Sequence, residues 1–311
     1  MKKYAIGTDI GGSHISCALV NMVENHIVKD SHVVSNVDNQ ASADEILNVW
    51  GKTIDATIQK VGIENIQGIG FAMPGPFAYD KGIALFEKVA KFESLYGVNV
   101  ANELSKRLGV CDKEVPLRFM NDATAFAVGE AWLGEAANVS NCVAITLGTG
   151  FGSAFVTHGI PVVEGTTIPL MGCLWHLPFK AGIADAYFST RWFVARWKEI
   201  SNIEIEGVKY LANKALTDNR ANDLFVEFGI NLGQFLGSWL KQFDTDILVM
   251  GGNIVGAYSL FGRAFETLLH EQGVTTKIAQ SQLKEDAAII GSAKMMYPNY
   301  WEKLKLILPK M

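Results

Sequence analysis

YAIGTDIGGSHISCALV, residues Tyr4 to Val20, is a β-forming apolar run that breaks at Gly11, Gly12 and Ser13 and then resumes as a second apolar run. CVAITLGTGFGSAFV, Cys142 to Val156, has the same build. Each reads as two strands joined by a turn that suits glycine, with Gly11, Gly12, Gly150 and Gly152 expected at positive φ and their amides uncovered. Such turns suit phosphate oxygens. Two of them, on two halves of one chain, point to a polyphosphate held in a cleft between lobes.

Outward from the first hairpin, Ile27 to Val34 offers a third strand, and Ala43 to Val61 has helical spacing at Ile46, Val49, Trp50, Ile54 and Ile58. A strand over Ile66 to Ala72 stops at Met73-Pro74-Gly75-Pro76, where two prolines force a loop. Val98 to Leu108 reads as a helix, and Pro116 to Met120 as a strand ending at Asn121-Asp122. The second half repeats this order in outline. A helix over Ala123 to Trp132 precedes the second hairpin, and helical spacing returns over Asp185 to Ile200 and Asn222 to Gln242. Thr245 to Met250 is a strand, Gly251-Gly252-Asn253 a turn, and Ile254 to Leu269 a helix. No Ser/Pro/Gly-rich linker separates the halves, so ordered elements are expected to join them near residues 120 to 135.

With 311 residues and 49% hydrophobic content, the chain can bury two sizeable cores. A formal charge of -5 leaves no broad basic surface, so a nucleic-acid partner is not expected. Asp9 and the glycines interrupt the N-terminal apolar stretch before a signal sequence forms, and no run approaches the roughly 20 apolar residues that span a bilayer. A cytoplasmic protein without membrane contact is expected. Cys17, Cys111, Cys142 and Cys173 include no CxxC, which signals neither a disulfide framework nor a zinc pair.

Asp9 ends a β-run directly before the first glycine turn. A carboxylate there would repel a phosphate unless a divalent cation, most often Mg²⁺ with its waters, lies between them; the alternative is an ordinary turn aspartate. The second turn adds the Thr149 hydroxyl. Neither turn opens a helix or matches GxxxxGK[ST], so a P-loop or Rossmann assignment fails on context. Asp122, at a strand end before a helix, reads either as a helix N-cap or as a general base for phosphoryl transfer to an alcohol, with Asn121 orienting a second hydroxyl. His176 lies in apolar surroundings that suit a core histidine, and Asp185 suits a helix first turn; residue type alone leaves both open.

Taken in order, these motifs resemble the ROK family of sugar kinases, in the clan that includes hexokinases and actin. The residues are DIGGSHI at Asp9 to Ile15, AMPGP at Ala72 to Pro76, NDATAFAVGEAWLG at Asn121 to Gly134, LGTGFGSAF at Leu147 to Phe155, GGNI at Gly251 to Ile254 and DAAIIGSA at Asp286 to Ala293. The resemblance implies an α/β, two-lobed, actin-like ATPase (ribonuclease H-like) fold with a central mixed sheet in each lobe, and lobe closure on binding. It implies an N-terminal lobe over 1–120 joined by a C-terminal helix at about 290–311, and a second lobe over 121–289. It further implies ATP and Mg²⁺, a hexose or N-acetylhexosamine acceptor, and a homodimer. Asp122 is the implied catalytic base, and Gly75, Asn121, Asp122, His176 and Asp185 the implied sugar contacts. Asp9, Gly11, Gly12, Ser13, Thr149, Gly150, Gly252 and Asn253 are the implied nucleotide and Mg²⁺ contacts.

One segment departs from the family. Members usually carry ExGH, a CxCGxxGC cluster that binds structural zinc, and then a sugar-contacting glutamate. Here the stretch reads CLWHLPFKAGIADAYFSTRWF. His176 matches, but Cys173 replaces the first glutamate, Trp175 replaces the glycine, and the cysteine cluster is missing. Zinc is therefore not expected. Asp185 matches the second glutamate, one methylene shorter. Losing a carboxylate that accepts sugar hydroxyls predicts altered sugar specificity. A catalytically silent sugar sensor is the main alternative, although the early position of Asp9 leaves no room for a preceding DNA-binding domain. An actin-like or chaperone-like ATPase and polyphosphate as donor are the others, with GGNI favouring a nucleotide.

Overall fold

The computed structural model describes residues 2–311 and divides into two compact units. The first holds residues up to Ala137, Gly159–Pro161 and Glu285–Met311; the second holds Asn138–His158 and Val162–Lys284. The division therefore falls after Ala137 and before Glu285, where residues 120 and 290 were expected. The reason is the helix after Asp122, which stays with the first unit.

In the first unit the hairpin pairs strands Tyr4–Ile10 and His14–Asn21, with Ile10 opposite Ile15. The expected third strand is two short pieces, His26–Ile27 and Val33–Asn36, both paired to the second strand. Strand Ile66–Met73 runs parallel to the first, with Ala72 opposite Asp9. Strand Leu117–Asn121 runs parallel to it in turn, with Asn121 opposite Met73. Asp9, Met73 and Asn121 consequently stand at the carboxyl ends of three neighbouring parallel strands, the edge at which open α/β sheets bind ligands.

Helix Asp286–Lys294 lies on this sheet and against helix Asp122–Leu133. Its approach is set by glycines. A Cβ at Gly7 would overlap the Ile289 carbonyl oxygen, and one at Gly70 would overlap that of Ser292. Between the two helices, a Cβ at Gly129 would overlap the Ala287 carbonyl, and one at Gly291 that of Ala125. Helix Ala43–Ile58 starts on a capping box of Ser42 and Glu45 and buries Trp50 edge-on to Phe92.

The second unit repeats the plan. Strands Asn141–Leu147 and Phe151–Thr157 form the hairpin, and strand Ile247–Gly251 runs parallel to the first, with Gly251 opposite Thr146. Strand Lys277–Gln280 continues the sheet in parallel. The 24-residue helix Asn219–Gln242 packs on helix Tyr258–Glu271, where a Cβ at Gly229 would overlap the Phe261 carbonyl. Phe188, Phe193, Phe225, Phe228 and Phe235 fill the core beneath. The helix expected over Asp185 to Ile200 is two, Ala184–Tyr187 and Thr190–Ser201, broken at Phe188 and Ser189.

Because the two glycine contacts fix the helix that begins at Asp122, Gly129→Ala is expected to destabilise the protein by about 1–3 kcal/mol through overpacking. A lower urea midpoint at unchanged slope is the measurement; an unchanged midpoint would show that the helices separate without cost.

Candidate active site

In the first unit, the alternatives for Asp122 resolve through its neighbour. Asn121, not Asp122, is the N-cap: its Oδ1 accepts from the Thr124 amide at 3.1 Å and from Thr124 Oγ1 at 3.3 Å. Its Nδ2 donates to Asp122 Oδ1 at 2.9 Å and to the Tyr79 hydroxyl at 3.3 Å. Asp122 Oδ1 also accepts the Ala123 amide at 2.8 Å. Asp122 is thereby held through one oxygen, in a half-buried position. All four bonding positions of the Asn121 amide are taken, so a sugar hydroxyl there has to displace a partner, and the long Tyr79 contact is the weakest. Tyr79 in turn donates to the Met73 carbonyl at 3.2 Å.

Burial pushes the Asp9 carboxyl up to about 7, and the negative charges of Asp122 and Glu285 add to the effect. A carboxylate crowded in this way by acidic neighbours favours a hard divalent cation, and Mg²⁺ in particular is held by one or two carboxylates, water and phosphate. The Asp9 surroundings therefore fit the ion that its position suggests. Gly12 and Ser13 are exposed at the turn, and Gly75 is exposed beyond Met73.

In the second unit, the turn closes with Gly148 N bonded to the Gly150 carbonyl at 3.0 Å, leaving Thr149 and Gly150 exposed. Strand Ile247–Gly251 runs into Gly252, whose φ of +88° demands glycine and whose absent Cβ makes room for the Leu147 carbonyl. Exposed Asn253 follows. Gly252 and Asn253 thus stand beside the end of the strand that enters the Gly148 turn.

His176 is partly buried, with Nδ1 at 3.7 Å from Cys173 Sγ, and burial pushes the Cys173 thiol up to about 11. Cys173 is thus a neutral thiol. Trp175 stands edge-on to His176 and is 45% exposed. Asp185 is engaged locally: Oδ1 accepts the Phe151 amide at 2.8 Å, and Oδ2 pairs with Arg191.

Two sequence readings need correcting. Among the described residues, the positive-φ glycines do not include Gly11, Gly12, Gly150 or Gly152. At two of them a side chain would be crowded: a Cβ at Gly11 would stand 3.0 Å from the His14 ring, and one at Gly150 3.2 Å from Asp185 Oδ1, whereas one at Gly12 would meet nothing within 4 Å. The second is the cap, which Asn121 supplies in place of Asp122. Tyr79, Glu285 and Arg191 were not foreseen. Only Glu285 left a signal, as an acidic residue directly before a helix.

A model of the ROK family matches residues 5–298, and the chain belongs to this family. It is 27% identical over 320 residues to a glucokinase of Thermotoga maritima, covering 94% of this chain and 96% of that protein. It is 26% identical over 275 residues to an N-acetyl-D-glucosamine kinase of Haemophilus influenzae, covering 80% and 83%. The structure of a ROK family glucokinase from Streptomyces griseus, solved with glucose and AMPPNP, matches with a TM-score of 0.74 at 20% identity, covering 94% and 98%. The fold is that of the ROK sugar kinases, an α/β actin-like ATPase fold with a mixed sheet in each unit. Among the described residues, no helix is long and apolar enough to cross a membrane.

The Asp9 carboxyl sets a pH dependence. Its pKa is raised on folding from 3.8 to about 7, so its contribution to stability is fully present below pH 3.8 and is lost as pH rises through about 7. Asp9→Asn is expected to flatten this part of the profile and to raise the thermal midpoint above neutral pH in metal-free buffer. Parallel profiles for the two proteins would refute the assignment.

Proposed function

We propose that this protein is an ATP-dependent sugar kinase that transfers the γ-phosphoryl group to a hydroxyl of a hexose or hexose derivative, with Asp122 as general base. The observation that carries the reading is the fixed Asp122 carboxylate: one oxygen is pinned by Asn121 and the Ala123 amide, at the carboxyl end of a strand. A base in phosphoryl transfer needs this rigidity, because its task is to take the proton of an attacking hydroxyl in one orientation. Membership of the ROK family and the similarity to glucokinases and N-acetylglucosamine kinases support a glucose-like or N-acetylhexosamine acceptor.

In this reading, Asn121 positions Asp122 and reaches the sugar by exchanging its Tyr79 bond, while Gly75 and His176 contribute to the sugar site. In the first unit the exposed Gly12 and Ser13 offer amides and a hydroxyl to phosphate oxygens, the Gly11 amide being taken by the His14 carbonyl; in the second unit Thr149 and Gly150 offer theirs, and Gly252 and Asn253 lie by the nucleoside. Asp9 holds Mg²⁺, directly or through water; when bound, the ion offsets charge on the donor phosphates. The neutral Cys173 cannot accept hydroxyl bonds as a carboxylate does, and the exposed Trp175 ring offers a flat face for stacking on a sugar. Sugar preference therefore differs from that of relatives with the complete ExGH segment.

The test is ADP release across hexoses, hexosamines and β-glucosides, with ATP and then polyphosphate as donor. Asp122→Asn is expected to lower kcat by about 10²–10⁴ while sugar binding, followed by calorimetry, is kept. Turnover with no sugar by the unmodified protein, or full activity of Asp122→Asn, would defeat the proposal.

A further inference from the structure

Asp185 corresponds to a sugar-contacting position, yet both of its carboxylate oxygens work on the second glycine hairpin and its surroundings. Oδ1 accepts the amide of Phe151, the first residue after the Gly148-Thr149-Gly150 turn, at 2.8 Å. The same oxygen lies 3.2 Å from the place a Cβ on Gly150 would occupy, so the turn is folded onto the carboxylate. Oδ2 is paired with Arg191 Nη2. The backbone makes the same connection. Thr190 donates to the Gly148 carbonyl twice, from its amide at 2.8 Å and its hydroxyl at 3.0 Å, and Asp185 N donates to the Trp175 carbonyl at 2.9 Å. Hairpin, Asp185, Thr190 and Arg191 form one hydrogen-bonded piece.

We infer that the Asp185–Arg191 pair belongs to the donor-phosphate site: Asp185 is a positioning residue that sets the glycine turn, and Arg191 meets the phosphate chain there. The inference rests on the kinase reading above. A bare carboxylate beside a phosphate turn would repel the donor, and Arg191 cancels that charge. Its side chain is 59% exposed, one carboxylate away from the turn, and its pair with Asp185 engages Nη2, which leaves other N–H groups of the guanidinium for a further partner. Guanidinium geometry suits phosphate oxygens, which it can take two at a time. Asp185 Oδ1 is already taken by a backbone amide and Oδ2 by a cation, so its position is dictated by the hairpin and not by a sugar.

The experiment measures KM for donor and for sugar separately in the full chain, and titrates AMPPNP and tripolyphosphate by calorimetry. Arg191→Ala, a change at an exposed side chain, is expected to raise donor KM about tenfold and weaken at least one phosphate probe equally, with sugar KM within about twofold. Arg191→Lys should recover part of the loss. Asp185→Asn keeps an acceptor for the Phe151 amide and should affect donor KM less than Asp185→Ala. The probe whose binding weakens separates nucleotide from inorganic polyphosphate as donor. Unchanged binding of both probes by Arg191→Ala overturns the inference, as does a rise in sugar KM alone for Asp185→Ala. Wild-type protein that binds a probe through Arg191 but phosphorylates no sugar would uphold the phosphate contact and defeat the kinase reading.

Discussion

The contact between helices Asp122–Leu133 and Asp286–Lys294 governs the first unit. Backbone meets backbone there, because Gly129 and Gly291 carry no side chain where the Ala287 and Ala125 carbonyls stand. The same second helix presses on the sheet over Gly7 and Gly70. Four glycines thus set how helix and sheet approach, and with them the place of Asp122 at one helix start and of Glu285 just before the other. Burial raises the Asp9 pKa most, and the charges of both acidic groups add to it. Backbone packing of helix on helix and helix on sheet therefore contributes to the electrostatics of the site.

Each unit applies the same device to a different task. A hairpin supplies a small-residue turn, and the next parallel strand delivers functional residues to the same sheet edge. In the first unit that edge gathers carboxylates. In the second it gathers Gly252, Asn253 and a glycine turn beside which the Asp185 carboxylate is tied to Arg191. The contrast follows from charge: an acidic edge suits a cation and a base, and a neutralised one suits phosphate.

Much of this was legible in the chain. Alternating and helical patterns placed most elements to within a few residues, and Asn121-Asp122 marked a strand-to-helix junction. The unit boundary was missed because it depends on which partner the Asp122 helix packs against, a long-range contact that periodicity does not record. The reason given for the turn glycines was also incomplete. Gly11 and Gly150 are limited by the His14 ring and the Asp185 carboxylate, neighbours known only once the chain is folded.

The sequence by itself determined the paired hairpins, the family and the residue types available for chemistry, since these are local patterns and ordered motifs. Tertiary structure alone decided that Asn121 caps its helix while gripping Asp122, that burial and the charges of Asp122 and Glu285 raise Asp9, and that Asp185 bonds the Phe151 amide while pairing with Arg191. The physical reason is that hydrogen-bond partners and local fields depend on distances of a few ångströms between residues far apart in the chain, and no spacing along the sequence encodes them.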